Sequence, residues 1–421
     1  MASAAGATKG FIGRLLGNLW AASYSLLFLT LVVTTHLHAQ TYTVIHTFMD
    51  GADGAYPDAG LTIDKAGNLY GTTYDGGNRT GYGVVYRLTN KHGSWILSQL
   101  YAFSGTDGAH PEARVVFGPD GSLYGTTSQG GCGNNGTVFN LKPPASACKA
   151  ALCPWTETIL YCFQQSGAGP GYGDLIFDPA GNIYGTTTGG GDFKLGTVFM
   201  LVPSNGSWTE NILHSFGSGA DGRAPYNGVV FDSAGNLYGT TFEGGQSSRG
   251  TVFQLKRLGG SWVENILYDF QDKDDGASPY AGLAFDRSGN LYGTTSTGGQ
   301  NDGGTVFEIV PSSGAWTLNT INSFVAYATP WSTLTLDPAT GNFYGTTWGG
   351  GDLGFGSVFK LTPSGGGWVQ TVLYSFSDKD DGGHPVGSVV LDANGNLFGT
   401  TYYGGNGPCD GGCGVIWEIT P

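Results

Sequence analysis

The chain has 421 residues, of which 75 are glycine and only 12% are charged. This composition argues against a helical enzyme and favours many short strands joined by tight turns. Disorder is excluded as well, because 40% of the residues are apolar and 13% are aromatic, enough for a large core. A formal net charge of −14 repels phosphate backbones, so nucleic acid is not expected as a partner.

The N-terminus has the pattern of an export signal. Lys9 and Arg14 precede an apolar run at residues 26–33, and residues 37–39 form a small-residue cleavage site before Gln40. A retained membrane anchor is the alternative, but the run is shorter than the roughly 20 apolar residues of a spanning helix. We therefore predict a signal peptide over residues 1–39 and a secreted, monomeric protein, extracellular or periplasmic, without membrane contact after cleavage.

One phrase, Gly-Asn-Leu-Tyr-Gly-Thr-Thr at residues 67–73, occurs seven times with small substitutions. Its central glycines lie 52 to 60 residues apart, and they are Gly71, Gly125, Gly185, Gly239, Gly293, Gly345 and Gly399. Such regular spacing indicates an array of one supersecondary unit.

Each repeat contains four predicted strands separated by turn-forming residues. In the fifth repeat these strands cover residues 282–286, 290–295, 304–310 and 316–324. A four-stranded unit is the blade of a β-propeller, so the sequence predicts an all-β, seven-bladed propeller of antiparallel strands over residues 40–421.

The two ends of the chain predict how the ring closes. The seventh repeat stops after its third strand, at residues 414–419, and residues 42–48 match the outer strand of the other repeats. The N-terminal strand is therefore expected to complete the last blade, which protects sheet edges that would otherwise aggregate.

Two recurring aromatic positions are interpreted as packing positions. The first holds Tyr70, Tyr124, Tyr184, Tyr238, Tyr292, Tyr344 and Phe398. The second holds Trp95, Trp155, Trp208, Trp262, Trp316 and Trp368. The glycine after each tyrosine is expected to let the next blade approach closely.

Six cysteines in an exported chain favour disulfides over metal or redox chemistry. Cys148 and Cys153 bracket a short insertion, and Cys409 and Cys413 bracket a turn, so each pair is expected to bond locally. The remaining Cys132 and Cys162 form either a third disulfide or two free thiols.

The ordered elements Asn-Leu-Tyr-Gly-Thr-Thr, a Gly-Gly loop, Gly-Thr-Val-Phe and Ile-Leu-Tyr-x-Phe resemble the Gloeo/Verruco tandem-repeat family of exported bacterial proteins. The resemblance covers about residues 42–421 and implies no established activity or catalytic residues. Some relatives carry a C-terminal anchoring segment, whereas this chain ends at Pro421 inside the last predicted blade. A freely released form is therefore expected.

Candidate binding residues lie where the repeats differ at the predicted mouth of the ring. The position after the loop proline holds Asp58, Glu112, Tyr172, Tyr226, Tyr280, Trp331 and Val386. Two positions later, Arg114 and Asp174 of adjacent repeats are expected to form an ion pair. An aromatic arc facing acids is typical of a sugar site, so the predicted function is binding of extracellular carbohydrate or of a protein partner. The alternative is that these residues only pack blade edges.

A carbohydrate-active enzyme, either a glycoside hydrolase or a polysaccharide lyase, is the alternative function. Asp58 and Glu112 would then serve as acid and base, with His110 and His384 nearby. No nucleophile elbow, zinc-protease motif or phosphate loop occurs in the sequence, so a binding module is favoured.

Calcium is considered because two Asp-rich loops superficially resemble metal loops. The candidate ligands are Asp272, Asp274, Asp378 and Asp380. Asp-Gly is common turn chemistry, and these loops lack the distant bidentate Glu of a helix-loop-helix site. No cofactor is therefore required by the sequence.

Overall fold

The structure is a computed structural model that describes residues 40–77, 81–144, 155–165, 167, 169–217, 219–312 and 314–421. These residues form seven antiparallel sheets of four strands and one short two-stranded sheet. The seven sheets are the blades of a ring, which confirms the predicted seven-bladed β-propeller. Helical structure in the described residues is limited to one 3-10 turn at Gly131–Gly133.

The strands of each blade are called first to fourth, from the ring axis outward. The first strands are Thr62–Ile63, Val116–Phe117, Ile176–Phe177, Val230–Phe231, Ala284–Phe285, Thr335–Leu336 and Val390–Leu391. The second strands are Leu69–Thr73, Leu123–Thr127, Ile183–Thr187, Leu237–Thr241, Leu291–Thr295, Phe343–Thr347 and Leu397–Thr401. The two-stranded sheet pairs Gly222–Arg223 with Glu243–Gly244.

The outer half of each blade is a longer hairpin. The third strands are Val84–Lys91, Thr137–Lys142, Thr197–Ser204, Thr251–Leu258, Thr305–Ser312, Ser357–Ser364 and Val415–Thr420. The fourth strands of blades 1 to 6 are Ser94–Ala102, Thr156–Cys162, Ser207–Ser215, Ser261–Asp269, Ala315–Ser323 and Gly367–Ser375.

The fourth strand of blade 7 is Thr41–Thr47, from the opposite end of the chain. It pairs antiparallel with Val415–Thr420, and the register runs from Thr41 opposite Thr420 to Thr47 opposite Val415. The predicted closure is therefore confirmed. This strand also carries a β-bulge between Val44 and His46, at the place where the fourth strands of blades 1 to 6 are bulged.

The hydrophobic core is divided into seven clusters, each shared by two neighbouring blades. Between blades 1 and 2, Tyr70 packs edge-on against Phe117, with 5.2 Å between the ring centroids. Trp155 is partly buried against the same cluster. The recurring tyrosines and tryptophans thus fill the interfaces between blades, as packing residues do.

The glycine after each tyrosine has a different partner from the expected one. Gly125 lies opposite Phe139 in the register of its own blade. A Cβ atom at Gly125 would lie 2.6 Å from the ring of Phe139. The expectation that this glycine admits the next blade was therefore wrong: it makes room for an aromatic ring on the adjacent strand of the same sheet.

A carboxylate closes the turn between the first and second strands. In blade 1, Oδ1 of Asp64 accepts hydrogen bonds from the backbone N–H groups of Ala66 and Asn68, at 2.8 and 2.9 Å. Its Oδ2 accepts from Asn68 Nδ2 at 2.7 Å and from the Tyr70 hydroxyl at 3.1 Å. Equivalent bonds surround Asp178, Asp232 and Asp286. The repeated asparagine therefore stabilises this turn, and the repeated tyrosine stabilises both the turn and the core between blades.

Disulfides join Cys409 to Cys413 and Cys132 to Cys162. The second bond resolves the choice left open for that pair. Cys148 and Cys153 lie outside the described residues, as does the predicted signal peptide at 1–39. Within the part of the chain that the structure describes, no helix is long and apolar enough to cross a membrane.

Replacing Tyr42 tests the closure. Its ring stacks on Tyr374 at a centroid distance of 3.7 Å, and its hydroxyl donates to the Asp381 carbonyl at 2.5 Å. Because truncating a large aromatic contact leaves a cavity, Tyr42→Ala should lower the free energy of unfolding by about 2–4 kcal/mol. Thr43→Ala, an exposed neighbour on the same strand, should change it by less than about 0.5 kcal/mol. Equal denaturation midpoints for both variants would contradict the closure.

Candidate functional site

Loops from each blade meet at one end of the ring. The loop that enters a blade pairs with the loop between that blade's second and third strands, through bridges such as Ala55–Asp75 and Ala109–Gln129. The residue before the loop proline has a left-handed backbone in six blades, with φ between 47° and 57° at Tyr56, His110, Ala224, Ser278, Thr329 and His384. A strained conformation repeated at one position indicates that the surrounding loops fix it.

Each Asp-Gly loop uses its aspartate to hold its own backbone. Asp275 accepts hydrogen bonds from the N–H groups of Gln271 and Lys273, at 2.8 and 3.0 Å. Among the candidate calcium ligands, Asp272 instead pairs with Arg249 at 2.8 Å. Within the described residues, neither Asp272 and Asp274 nor Asp378 and Asp380 belong to a group of three or more metal-ligating side chains. Turn chemistry thus accounts for Asp275.

The residues after the loop proline converge on the ring axis. A central pocket is lined by Asp58, Glu112, Tyr172, Tyr280, Trp331 and Val386. Its volume is about 30 Å³, which holds a water molecule or two but no sugar ring. A larger ligand must therefore bind above this pocket or beside it.

Burial raises the pKa of both acids in the pocket. Asp58 is only 6% exposed, and burial, followed by repulsion from Glu112, raises its pKa well above the ordinary value. Burial raises the pKa of Glu112 to about 7, although a hydrogen bond from Ser128 opposes the rise. Burial therefore favours the protonated form of both acids, and a protonated Glu112 can donate a hydrogen bond or a proton.

Arg114 and Asp174 form an ion pair beside the same pocket. Nε of Arg114 donates to Oδ2 of Asp174 at 2.7 Å, and the Arg114 backbone N–H donates to Oδ1 at 3.2 Å. The guanidinium charge is thus already matched by a carboxylate.

The aromatic residues form a continuous, partly exposed arc. Tyr172 lies 5.2 Å from Tyr280, Tyr226 stacks on Tyr280 at 4.9 Å, and Tyr280 stacks on Trp331 at 5.1 Å. Trp348, which the sequence analysis did not select, extends the arc by stacking on Trp331 at 4.7 Å. We call these five residues the aromatic arc.

Trp348 belongs to a second set of variable positions at the mouth of the ring. The residue directly after each Gly-Thr-Thr is Tyr74, Ser128, Thr188, Phe242, Ser296, Trp348 or Tyr402. These positions vary between aromatic and hydroxyl side chains within an otherwise constant phrase. That variation was visible in the sequence and would have identified the second set.

His110 and His384 line neither the central pocket nor the groove beside it. The ring of His110 stacks on Tyr74 at 4.4 Å, and that of His384 lies 4.6 Å from Trp348. Nδ1 of each histidine is 3.0 Å from a backbone carbonyl. Both histidines thus pack against residues of the second set and do not line the pocket that contains Asp58 and Glu112.

A groove of about 380 Å³ opens beside the central pocket, between the loops of blades 2 and 3. Glu112, Tyr172 and Tyr226 form one side of it. The polar side chains that line the remainder are Ser128, Gln129, Asn134, Asn135 and Thr188. This volume lies within the range of small-molecule sites. The groove combines ring faces with hydroxyl, amide and carboxyl groups.

The sequence matches the model of one known protein family. The model of the Gloeobacter/Verrucomicrobia repeat family matches residues 30–218 and 151–335. These matches cover more than half of the sequence, so the chain belongs to this family. No curated protein matches the sequence.

Solved structures share the fold at low sequence identity. A polysaccharide lyase of family PL25, an ulvan lyase, is 10% identical with a TM-score of 0.53, covering 86% of this chain and 94% of its own. A putative 6-phosphogluconolactonase from Bacteroides fragilis is 16% identical with a TM-score of 0.50, covering 81% and 88%. One from Bacteroides uniformis is 16% identical with a TM-score of 0.49, covering 78% and 87%. At these identities the likeness to the first two structures shows the fold alone.

The pKa of Glu112 predicts a pH-dependent stability. Because its pKa is about 7 in the folded protein and 4.5 ordinarily, the stability that its protonated form contributes is present below pH 4.5 and lost as the pH rises through 7. The difference is on the order of 3 kcal/mol. Glu112→Gln, which stays neutral, should therefore raise the free energy of unfolding relative to wild type at pH 8 and not at pH 4.

Denaturant titrations of both proteins at pH 4 and pH 8 measure this difference. Asp352→Asn, which removes an exposed carboxylate, serves as the control and should show no such pH-dependent gain. A gain of equal size in both variants would show that net charge, and not the burial of Glu112, is responsible.

Proposed function

We propose that this protein is a secreted carbohydrate-binding propeller that holds a neutral oligosaccharide in the groove beside Glu112 and along the aromatic arc. The observation that carries the proposal is the adjacency of a groove of about 380 Å³ to partly exposed, mutually stacked rings. Tyr172 and Tyr226 belong to both. A sugar ring can therefore contact an aromatic face and several polar side chains at once.

The energetics favour stacking supplemented by hydrogen bonds. The arc rings are held by one another, so little side-chain entropy is lost when a ligand covers them. Ser128, Gln129, Asn134 and Asn135 supply donors and acceptors that match sugar hydroxyls. Hydroxyl and amide groups do so without the desolvation penalty of a charge.

The electrostatics support a neutral ligand over an acidic one. Arg114 is the one cationic side chain among the described residues that line the pocket and the groove, and it is paired with Asp174. The formal net charge of the whole chain is −14. A uronate or sulfate group would thus meet no free positive charge there.

Binding assays with neutral hexasaccharides of glucose, mannose and xylose test the proposal. At least one should bind to the wild type in a glycan array and in calorimetry. Tyr226→Ala and Trp331→Ala should each weaken that binding at least about fivefold, since loss of a stacked ring costs on the order of 1 kcal/mol or more.

Tyr327→Ala is the matched control, because Tyr327 is 84% exposed and lies outside the aromatic arc. Its affinity should equal that of the wild type. If all three variants bind equally, or if only anionic glycans bind, the arc is not the binding surface and the proposal fails.

One observation supports catalysis as a second candidate function. Glu112 has a pKa of about 7 and lines the groove, so it is suited to protonate a glycosidic oxygen as a general acid. If the protein is an enzyme, the wild type should release shorter oligosaccharides, as detected by mass spectrometry. Glu112→Gln should then reduce release at least about 100-fold while retaining binding. Binding without release by the wild type would leave the protein a binding module.

A further inference from the structure

A separate cluster of three side chains lies between the outer strands of blades 3 and 4. It consists of His214 on the fourth strand of blade 3, Asp221 in the loop that follows, and Glu264 on the fourth strand of blade 4. None of the three lines the central pocket or the groove. Their side chains are 19%, 20% and 14% exposed.

The three side chains face one another without normal hydrogen bonds between them. Nε2 of His214 lies 3.5 Å from Oδ2 of Asp221 and 3.6 Å from Oε2 of Glu264. Nε2 of His214, Oδ1 of Asp221 and Oε1 of Glu264 are each buried and have no hydrogen-bond partner. Three orphaned polar atoms in one cluster are costly to bury unless a further group satisfies them.

These spacings suit a tetrahedral metal ion. Ligand atoms about 2.1 Å from a zinc ion, at tetrahedral angles, lie about 3.4 Å from one another. Zinc accepts imidazole nitrogen and carboxylate oxygen together, whereas Ca²⁺ and Mg²⁺ prefer oxygen ligands alone. A divalent ion would also neutralise two partly buried carboxylates. We infer that His214, Asp221 and Glu264 bind a Zn²⁺ ion that joins blade 3 to blade 4.

The other blade interfaces provide an internal comparison. Where tyrosine replaces the histidine, its hydroxyl satisfies a carboxylate: Tyr101 donates to Asp107 at 2.6 Å, and Tyr161 donates to Glu210 at 2.8 Å. Among the described groups of three or more possible ligands, only the His214 cluster has all its ligand atoms within 4.8 Å of one another.

One interface has the histidine but lacks the third ligand. His46 lies 3.2 Å from Asp53, and the position that corresponds to Glu264 holds Leu97. This pair therefore has the first two groups of the cluster without the carboxylate that completes it. It is the natural control for a site that needs all three.

Zinc binding by the untagged, purified protein tests the inference. After incubation with ZnCl₂ and removal of free metal, the wild type should retain one zinc per chain by elemental analysis. Its Co²⁺ form should show the visible absorption of a tetrahedral site. His214→Tyr, which reproduces the tyrosine of other blades, and Glu264→Gln should each weaken zinc binding at least about 100-fold.

His46→Tyr is the matched control and should bind zinc as tightly as the wild type, and thermal melts should show that His214→Tyr remains folded. Zinc should raise the melting temperature of the wild type and of His46→Tyr but not that of His214→Tyr. The inference is overturned if the wild type retains no more zinc than His214→Tyr. It is also overturned if His46→Tyr loses zinc equally, or if equimolar Ca²⁺ displaces the zinc.

Discussion

The packing of one blade against the next is the interaction on which the rest of this molecule depends. Each of the seven hydrophobic clusters draws its residues from two blades, so no blade has a core of its own. A single four-stranded sheet leaves an apolar face exposed, and the ring satisfies every such face only when all seven interfaces form. The repeated tyrosine serves this interface directly, because its ring enters the cluster while its hydroxyl holds the adjacent turn.

The residues at the mouth of the ring vary between repeats. The turns and interfaces require the same residues in every repeat, whereas the position after the loop proline and the position after Gly-Thr-Thr contribute little to either. Asp58, Tyr172 and Trp331 therefore occupy equivalent backbone sites with unrelated chemistry. The left-handed residue before the proline, Tyr56 in blade 1 and Thr329 in blade 6, fixes the loops that carry Asp58 and Trp331.

Much of this organisation could be predicted from the sequence because local turn chemistry is repeated seven times. Residues that occupy one position in consecutive repeats lie on neighbouring blades, which is why Arg114 and Asp174 could be expected to meet. The His214 and Glu264 contact was missed because it joins different positions of adjacent blades across a β-bulge. A bulge shifts the side chains that follow by one residue, and the choice of where to place it depends on packing that a sequence pattern does not display.

The groove beside Glu112 was missed for a different reason. Its walls come from loops such as residues 128–135 and 169–172, whose positions follow from loop length and from the Cys132–Cys162 disulfide. Hydrophobic periodicity contains no information about such loops. The role of glycine opposite Phe139 was misjudged because the register between strands had to be known first.

The pairing of Thr41–Thr47 with Val415–Thr420 also determines when the molecule can finish folding. Chains emerge from the ribosome or an export channel N-terminus first, so the strand that completes blade 7 appears before the other strands of the ring and its partner appears after them. Six blades can assemble in order along the way, each on its predecessor. The seventh must wait, and a chain interrupted shortly before residue 415 would present two unsealed sheet faces to any neighbouring molecule. Synthesis of Val415–Thr420 is thus the event that allows the ring to close.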